Sequence, residues 1–267
     1  MSIDTTAHRG SPEGAMIPEQ SCAVAIMAKA SIAGTVKTRL VPPLTDQEAA
    51  ELNTCCLGDI ASNIGAAAEQ VPIQGFAAYH PLGSEGFFED LLPDGFKLLP
   101  PREPTLGRSL FHAARDLFDA GYASVCLVNG DSPTLPTKQL VQAARHLQQP
   151  VDRVVLGPAA DGGYYLIGMR QFHGRLFEAI DWSTERVFQQ TIARAGEIGL
   201  PVAALAEWYD VDDEASLSRL ARELFCSPKA AGSQSGGYAA PRTTALFERL
   251  AATNSAVRRL LTAYGNS

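Results

Sequence analysis

Between Lys29 and Arg39 the chain places three cations, Lys29, Lys37 and Arg39, around Gly34. In a chain whose formal net charge is −7, such a local cluster of base reads as a cradle for an anion. Glycine lets the backbone approach phosphate oxygens, lysine supplies a point charge, and arginine grips two oxygens at once. The same composition also describes a solvated basic loop. The Gly-x-x-x-x-Gly-Lys-Ser/Thr order of a Walker loop is absent.

Carboxylates follow at three later points. In Asn129-Gly130-Asp131-Ser132-Pro133, Asp131 is placed to hold Mg²⁺ between diphosphate oxygens, although Asp before Pro also opens ordinary turns. Asp161-Gly162-Gly163 is a tight turn that could also present backbone N–H groups and Asp161 to the hydroxyls of a sugar. Trp182, just ahead of Ser183-Thr184, serves either as a core plug or as a stacking platform, with the plug favoured. In Tyr209-Asp210-Val211-Asp212-Asp213, alternation puts Asp210 and Asp212 on one side, where both face one ion. Asp212 or Asp213 also suits the N-cap of a following helix.

The elements that must position these residues alternate between apolar runs and helical patterns. Strands are expected at Cys22–Ala28, Ile73–Tyr79, Phe96–Leu99, Ala123–Val128, Arg153–Leu156, Tyr164–Met169 and Val202–Leu205. Helices are expected over Asp46–Ala68, capped at Thr45 or Asp46, then Gly107–Ala120, Lys138–Leu147, Thr184–Ile198 and Glu214–Leu224. Strands separated by helices predict parallel crossover units with helices on both faces. Tyr164–Met169 follows its predecessor too closely for a helix, so it is expected to run antiparallel. Ligands in such sheets gather beyond the carboxyl ends of the strands, where every residue named above falls.

The expected organisation is a leader over 1–21, one α/β domain over 22–225, a Ser/Gly/Ala/Pro linker over 226–243 and an amphipathic helix over 244–264. Leu246, Leu250, Val257, Leu260, Leu261 and Tyr264 line that helix. It docks on its own domain or on a partner, a homodimer included; the pattern does not choose. Hydrophobic residues make up 46% and charged residues 19%, a globular composition that excludes wholesale disorder. An acidic chain argues against nucleic acid as a partner. Five cysteines without Cys-x-x-Cys spacing argue for free thiols. No apolar run reaches membrane-span length, and the leader lacks a signal-type apolar core, so a cytoplasmic location is expected.

Taken in order, Ala28-Lys29-Ala30, Gly34-x-x-Lys37-Thr38-Arg39-Leu40, Gly130-Asp131-Ser132-Pro133, Asp161-Gly162-Gly163-Tyr164-Tyr165, Trp182-Ser183-Thr184 and Asp210-Val211-Asp212 resemble a known family. It is the bacterial glycosyltransferase A-fold family of arsenosugar-biosynthesis-type glycosyltransferases, within the nucleotide-diphospho-sugar transferase superfamily. The resemblance covers about residues 22–224. It implies a single Rossmann-like glycosyltransferase A-type domain with a mostly parallel sheet, plus the C-terminal helix.

By matching position, the resemblance implies that Ala28, Lys29, Gly34, Lys37, Thr38 and Arg39 bind the nucleotide phosphates. It implies that Asp131, Asp210 and Asp212 hold Mg²⁺ or Mn²⁺, and that Asp161, Gly162, Gly163 and Trp182 face the sugar or acceptor, with Asp161 catalytic. Two positions depart from the pattern. Ser31 stands where the family has Pro, and Asp131 is followed by Ser132 rather than completing an Asp-x-Asp pair. The activity implied is metal-dependent transfer of a sugar from a nucleotide-diphospho-sugar to a small-molecule acceptor. Nucleotidyl transfer from an NTP to a phosphorylated small molecule, with pyrophosphate release, is the alternative. A nucleotide-binding protein without turnover is a third reading.

Overall fold

The computed structural model describes residues 21–102, 105–226 and 236–262. The expected leader, except Ser21, and linker residues 227–235 lie outside the described residues. Seven strands form one sheet: β1 (Cys22–Lys29), β2 (Ile73–His80), β3 (Lys97–Leu99), β4 (Ser124–Asn129), β5 (Val154–Pro158), β6 (Tyr164–Met169) and β7 (Val202–Ala204). Their spatial order is β3-β2-β1-β4-β6-β5-β7. β6 pairs antiparallel with both β4 and β5, and every other pairing is parallel. The single reversed strand is the one whose connection is too short for a crossover helix.

Eight α-helices are described: α1 (Asp46–Ala68), α2 (Glu85–Leu91), α3 (Leu106–Asp119), α4 (Thr137–Gln148), α5 (Val187–Glu197), α6 (Glu214–Cys226), α7 (Pro241–Thr253) and α8 (Ser255–Thr262). β1 is buried along nearly its whole length, as its continuous apolar run requires. Ile60 and Ile64 of α1 and Leu140 and Leu147 of α4 cover one face of the sheet. Leu110 and Leu117 of α3 and Ala195 of α5 cover the other. α1 begins with a reciprocal capping box between Thr45 and Glu48, a device worth about 1 kcal/mol.

Two helix expectations change. α2 has no counterpart in the sequence reading. It is only two turns long and is held by Phe88 and Leu91, which are buried against the first core. α5 starts at Val187 rather than Thr184, because Ser183 takes positive φ and the Thr184 hydroxyl closes a turn onto the Asp181 carbonyl at 2.7 Å.

The C-terminal amphipathic segment is two helices rather than one, and it starts earlier than residue 244. Pro241 occupies the first turn of α7, while the Asp59 carboxylate accepts from the N–H groups of Arg242 (3.0 Å) and Thr243 (2.8 Å). Asn254 then ends α7 and caps α8, its Oδ1 accepting from the N–H groups of Ala256 and Val257. Leu246, Phe247, Leu250 and Val257 are buried with Leu40, Leu44 and Leu217 in a third core cluster. The segment therefore docks on its own domain. Tyr264, the last residue of the expected stripe, lies outside the described residues. Among the described residues, no helix is long and apolar enough to cross a membrane.

Candidate active site

The loop leaving β1 is pinned before it reaches its cations. Asn53 of α1 donates to the Lys29 carbonyl (3.0 Å) and to the Ser31 hydroxyl (2.9 Å). The Lys29 ammonium folds back on the Thr35 carbonyl at 2.7 Å, and Gly34 turns the chain at φ +75°. Lys37 adopts a left-handed conformation, φ 47°, immediately ahead of a 3₁₀ turn over Thr38–Leu40. Thr38 is exposed on that turn.

The two remaining cations of the loop have different fates. The Lys37 side chain is 2% exposed and its ammonium lies 2.6 Å from Asp131 Oδ1 and 2.9 Å from the Val211 carbonyl. Burial, the largest influence, would lower its pKa; the Asp131 charge together with the charge of Asp212 and the hydrogen bond to Asp131 more than offsets this, so the ammonium stays protonated. Lys37 thus braces the carboxyl lip of β4 from inside. Arg39 is 72% exposed and reaches Asp212 at 2.8 Å. The neighbouring Cys56 thiol is pushed up to about 12 by burial, which keeps it neutral and unreactive.

The acids at the lip are held individually. Asp210 Oδ1 accepts from Asn129 Nδ2 at 2.5 Å and from the buried Ser132 hydroxyl at 2.6 Å. Burial raises Asp210 to about 6; the hydrogen bond from Ser132 opposes the rise and the Asp131 charge adds to it. Asp212 is also raised, by burial first and then by Asp131, while Lys37 and Arg39 pull it down. Asp213 caps α6, accepting from the Ser216 N–H at 2.8 Å. The Asp-Val-Asp-Asp run therefore supplies both cleft acids and a helix cap.

Across the cleft, Asp161 begins the β5–β6 turn and accepts from the Gly163 N–H at 2.9 Å through Oδ1. Gly162 sits at φ +90°, where an added Cβ would collide with the backbone of Glu185. It is a docking point for the Glu185 segment, closed by a bond from the Phe188 N–H to the Gly162 carbonyl at 3.0 Å. Trp182 is half-buried, edge-on to Tyr164 at 6.5 Å and flush against Gly107, where a Cβ would strike the indole. It plugs the wall and also lines the cleft.

The structure brings Arg39, Asp131, Asp161, Trp182, Asp210 and Asp212 around one cleft of about 580 Å³ beyond the strand ends, with Gly163 in its wall. Ala28 and Lys29 open instead onto an adjoining cavity of about 310 Å³ at the ends of β1, β2 and β3. The two share Met27 and Leu106. His80, Arg102 and His112 line the smaller cavity and Glu185 the larger; the sequence reading named none of them. His80 ends β2 as Lys29 ends β1, so asking what closes every strand, rather than only the charged ones, finds it.

Among the described residues, no group of three or more His, Cys, Asp or Glu is arranged to hold a metal ion. Mg²⁺ in nucleotide sites takes one or two carboxylates and completes its shell with phosphate oxygens and water. Asp131, 39% exposed with one oxygen on Lys37, and Asp212 beside it fit that smaller role. Asp210, with one oxygen already taking two hydrogen bonds, is the weakest donor of the three.

Residues 63–184 match a family model described as an uncharacterized protein conserved in bacteria, DUF2064. That span carries Asp131 and Asp161 but neither the cation loop nor Asp210 and Asp212. Among solved structures, a candidate nucleotide-diphospho-sugar transferase from Desulfovibrio desulfuricans G20 is 28% identical, with TM-score 0.74. The match covers 92% of this chain and 98% of that one. The two share one fold. The chain accordingly has a nucleotide-diphospho-sugar-transferase-like α/β domain with C-terminal helices. Weaker matches are a CMP:2-keto-3-deoxy-manno-octonic acid synthetase complexed with CTP (11% identical, TM-score 0.48, covering 75% of this chain and 96% of that one), and a nucleotidyl transferase from Methanothermobacter thermautotroptrophicus (14% identical, TM-score 0.48, covering 75% and 95%). No curated protein sequence matches the chain.

Proposed function

We propose that the chain is a glycosyltransferase that moves a sugar from a nucleotide-diphospho-sugar to the hydroxyl of a small-molecule acceptor. The observation that carries this reading is the convergence of Arg39, Asp131, Asp212 and Asp161 on one cleft at the carboxyl ends of the strands. The 28% identical neighbour, named as a candidate for the same activity, supports it.

In this reading the nucleoside occupies the smaller cavity, where Met27, Leu99, Pro100 and Pro101 offer apolar surface and His80, Arg102 and His112 offer polar groups. The diphosphate crosses Met27 and Leu106 into the larger cleft. Arg39, the exposed cation of the loop, meets its oxygens. Lys37 acts indirectly, holding Asp131 in place. Asp131 and Asp212 are the donors for Mg²⁺ or Mn²⁺, which supplies Lewis-acid charge for the departing diphosphate.

The acceptor enters beside Trp182 and the Asp161 turn. Its hydroxyl oxygen forms a bond to the anomeric carbon as the bond from that carbon to the diphosphate breaks. Asp161 takes the hydroxyl proton, and the nucleoside diphosphate carries off the electron pair. Gly162 and Gly163 set the direction of Asp161 rather than touching the reaction.

Product identity tests the reading. With Mg²⁺, nucleotide sugars and a panel of small hydroxyl acceptors, the expected product is a nucleoside diphosphate together with a glycosylated acceptor. Pyrophosphate released from an NTP and a phosphorylated acceptor would assign nucleotidyl transfer instead. Nucleotide binding without either product would leave a binding protein.

A further inference from the structure

The loop that carries the cations has two ends, and only one is secured by the sheet. Asn53 fixes the first end at Lys29 and Ser31. The second end, just after Arg39, inserts Leu40 and Leu44 into the third core cluster, and both are almost fully buried. A quarter of the buried residues of that cluster, Leu246, Phe247, Leu250 and Val257, come from the C-terminal helices.

One side chain joins the two bodies. Asn254 stands at the α7–α8 junction and accepts from Ala256 N and Val257 N, so its Oδ1 caps α8. Its Nδ2 points the other way, donating to the Pro43 carbonyl at 3.2 Å and to Glu48 Oε2 at 2.9 Å. That oxygen of Glu48 already accepts from the N–H (2.8 Å) and hydroxyl (3.1 Å) of Thr45 at the start of α1. The amide therefore ties a helix junction to the point where the loop ends and α1 begins.

Elsewhere, α7 is attached to α1 independently of the loop. Its first turn is held by Asp59, and Arg249 pairs with Glu51 at 2.6 Å. The Asp59 and Arg249 contacts thus fasten α7 to α1 away from the loop, whereas Asn254 contacts both the loop's end at Pro43 and the first turn of α1 at Glu48.

We infer that α7 and α8 hold the cation loop in its anion-binding conformation, and that Asn254 is the positioning residue that transmits this hold. The inference rests on the loop being the anion cradle of the proposed function. Arg39 lies one residue from Leu40, so the place of its guanidinium in the cleft depends on how firmly the stretch to Pro43 is held. Binding an anion with a loop that must first be ordered costs affinity in proportion to the freedom lost.

The test uses the full chain and Asn254→Asp. Aspartate keeps an acceptor for the α8 cap but removes both donors and sets a carboxylate beside Glu48. Arg249→Ala is the control, since it loosens α7 on α1 without touching the loop. The readouts are inorganic pyrophosphate binding in Mg²⁺ by calorimetry, and helical content by circular dichroism.

The expected result is wild-type binding, wild-type affinity in Arg249→Ala, and affinity about fivefold weaker in Asn254→Asp with helical content retained. Should Asn254→Asp lose helix, Asn254→Ser, which still caps α8, replaces it with the same expectation. Equal affinity in wild type and a folded Asn254 variant overturns the inference while leaving the cradle standing. A wild-type chain that does not bind pyrophosphate overturns the cradle reading, and the inference with it.

Discussion

The two walls of the cleft carry the same acid in opposite electrostatic settings. On the wall built by the cation loop and the β4 lip, two of the three carboxylates have their own cation, Asp131 with Lys37 and Asp212 with Arg39, while Asp210 is held by Asn129 and Ser132. On the wall built by the β5–β6 turn, Asp161 is exposed and, among the described residues, pairs with no cation. A neutralised wall can receive metal and phosphate without stacking negative charge, and a free acid opposite it is available to take a proton. In the proposed reading, the difference assigns binding to the first wall and turnover to the second.

The largest expected effect breaks the second wall. Asp161→Asn should lower transfer by about 100-fold or more, the usual contribution of a general base. Nucleotide affinity and melting temperature should stay at wild type, because Asp161 has no ion pair to lose. Steady-state rates beside a binding isotherm decide this; a parallel loss of affinity would place Asp161 with the binding wall.

Next in size is an asymmetry within the first wall. Asp131→Asn leaves a buried ammonium without its counter-charge and should cost roughly 2 kcal/mol of stability, discounted for the partial exposure of Asp131. Lys37→Met leaves a carboxylate that the cleft can rehydrate and should cost less. Urea melts of the two variants rank them, and the reverse order would mean that Lys37 is not held by Asp131.

A pH experiment sharpens the same wall. The folded pKa of Asp210, about 6, lies above the unfolded value near 3.9, so the folded state holds the proton more tightly. The resulting stability is fully present below about pH 3.9 and is lost as pH rises through about 6. Asp210→Asn abolishes that dependence. The stability of the variant relative to wild type should therefore climb between about pH 4 and 6 and level off above. Measured in chelator, parallel curves for the two proteins would remove the burial assignment.

The smallest effect on stability is expected from Arg39→Ala. The guanidinium is exposed, so melting should shift by less than about 0.5 kcal/mol, while pyrophosphate affinity falls about tenfold. Calorimetry checks both, and unchanged affinity would leave the loop without its exposed anion contact.

Much of this arrangement was legible in the residues. Continuous apolar runs located β1 and β4, a short connection marked β6 as reversed, and acids at strand ends located the lip. Three features were hidden for physical reasons. Lys37 reads as a surface cation because residue type cannot reveal that a left-handed backbone turns it inward. The late start of α5 depends on Ser183 at positive φ, a conformation that an ordinary residue adopts only under tertiary constraint. The break at Asn254 falls inside a continuous helical period, and the partners that hold it, Pro43 and Glu48, are about two hundred residues away in sequence. The resemblance and the structure agree on the fold, while the division of labour between Lys37 and Arg39 needed coordinates.

The central claim is that the neutralised wall binds a nucleoside diphosphate. The most direct measurement is thermal unfolding of wild type and Asp131→Asn with each common nucleoside diphosphate in Mg²⁺. A ligand at 100 times its dissociation constant adds about 2.7 kcal/mol to stability, well within detection. The account predicts that at least one nucleoside diphosphate stabilises wild type and that Asp131→Asn loses most of that gain. No stabilisation by any of them, or equal stabilisation of both proteins, would contradict it.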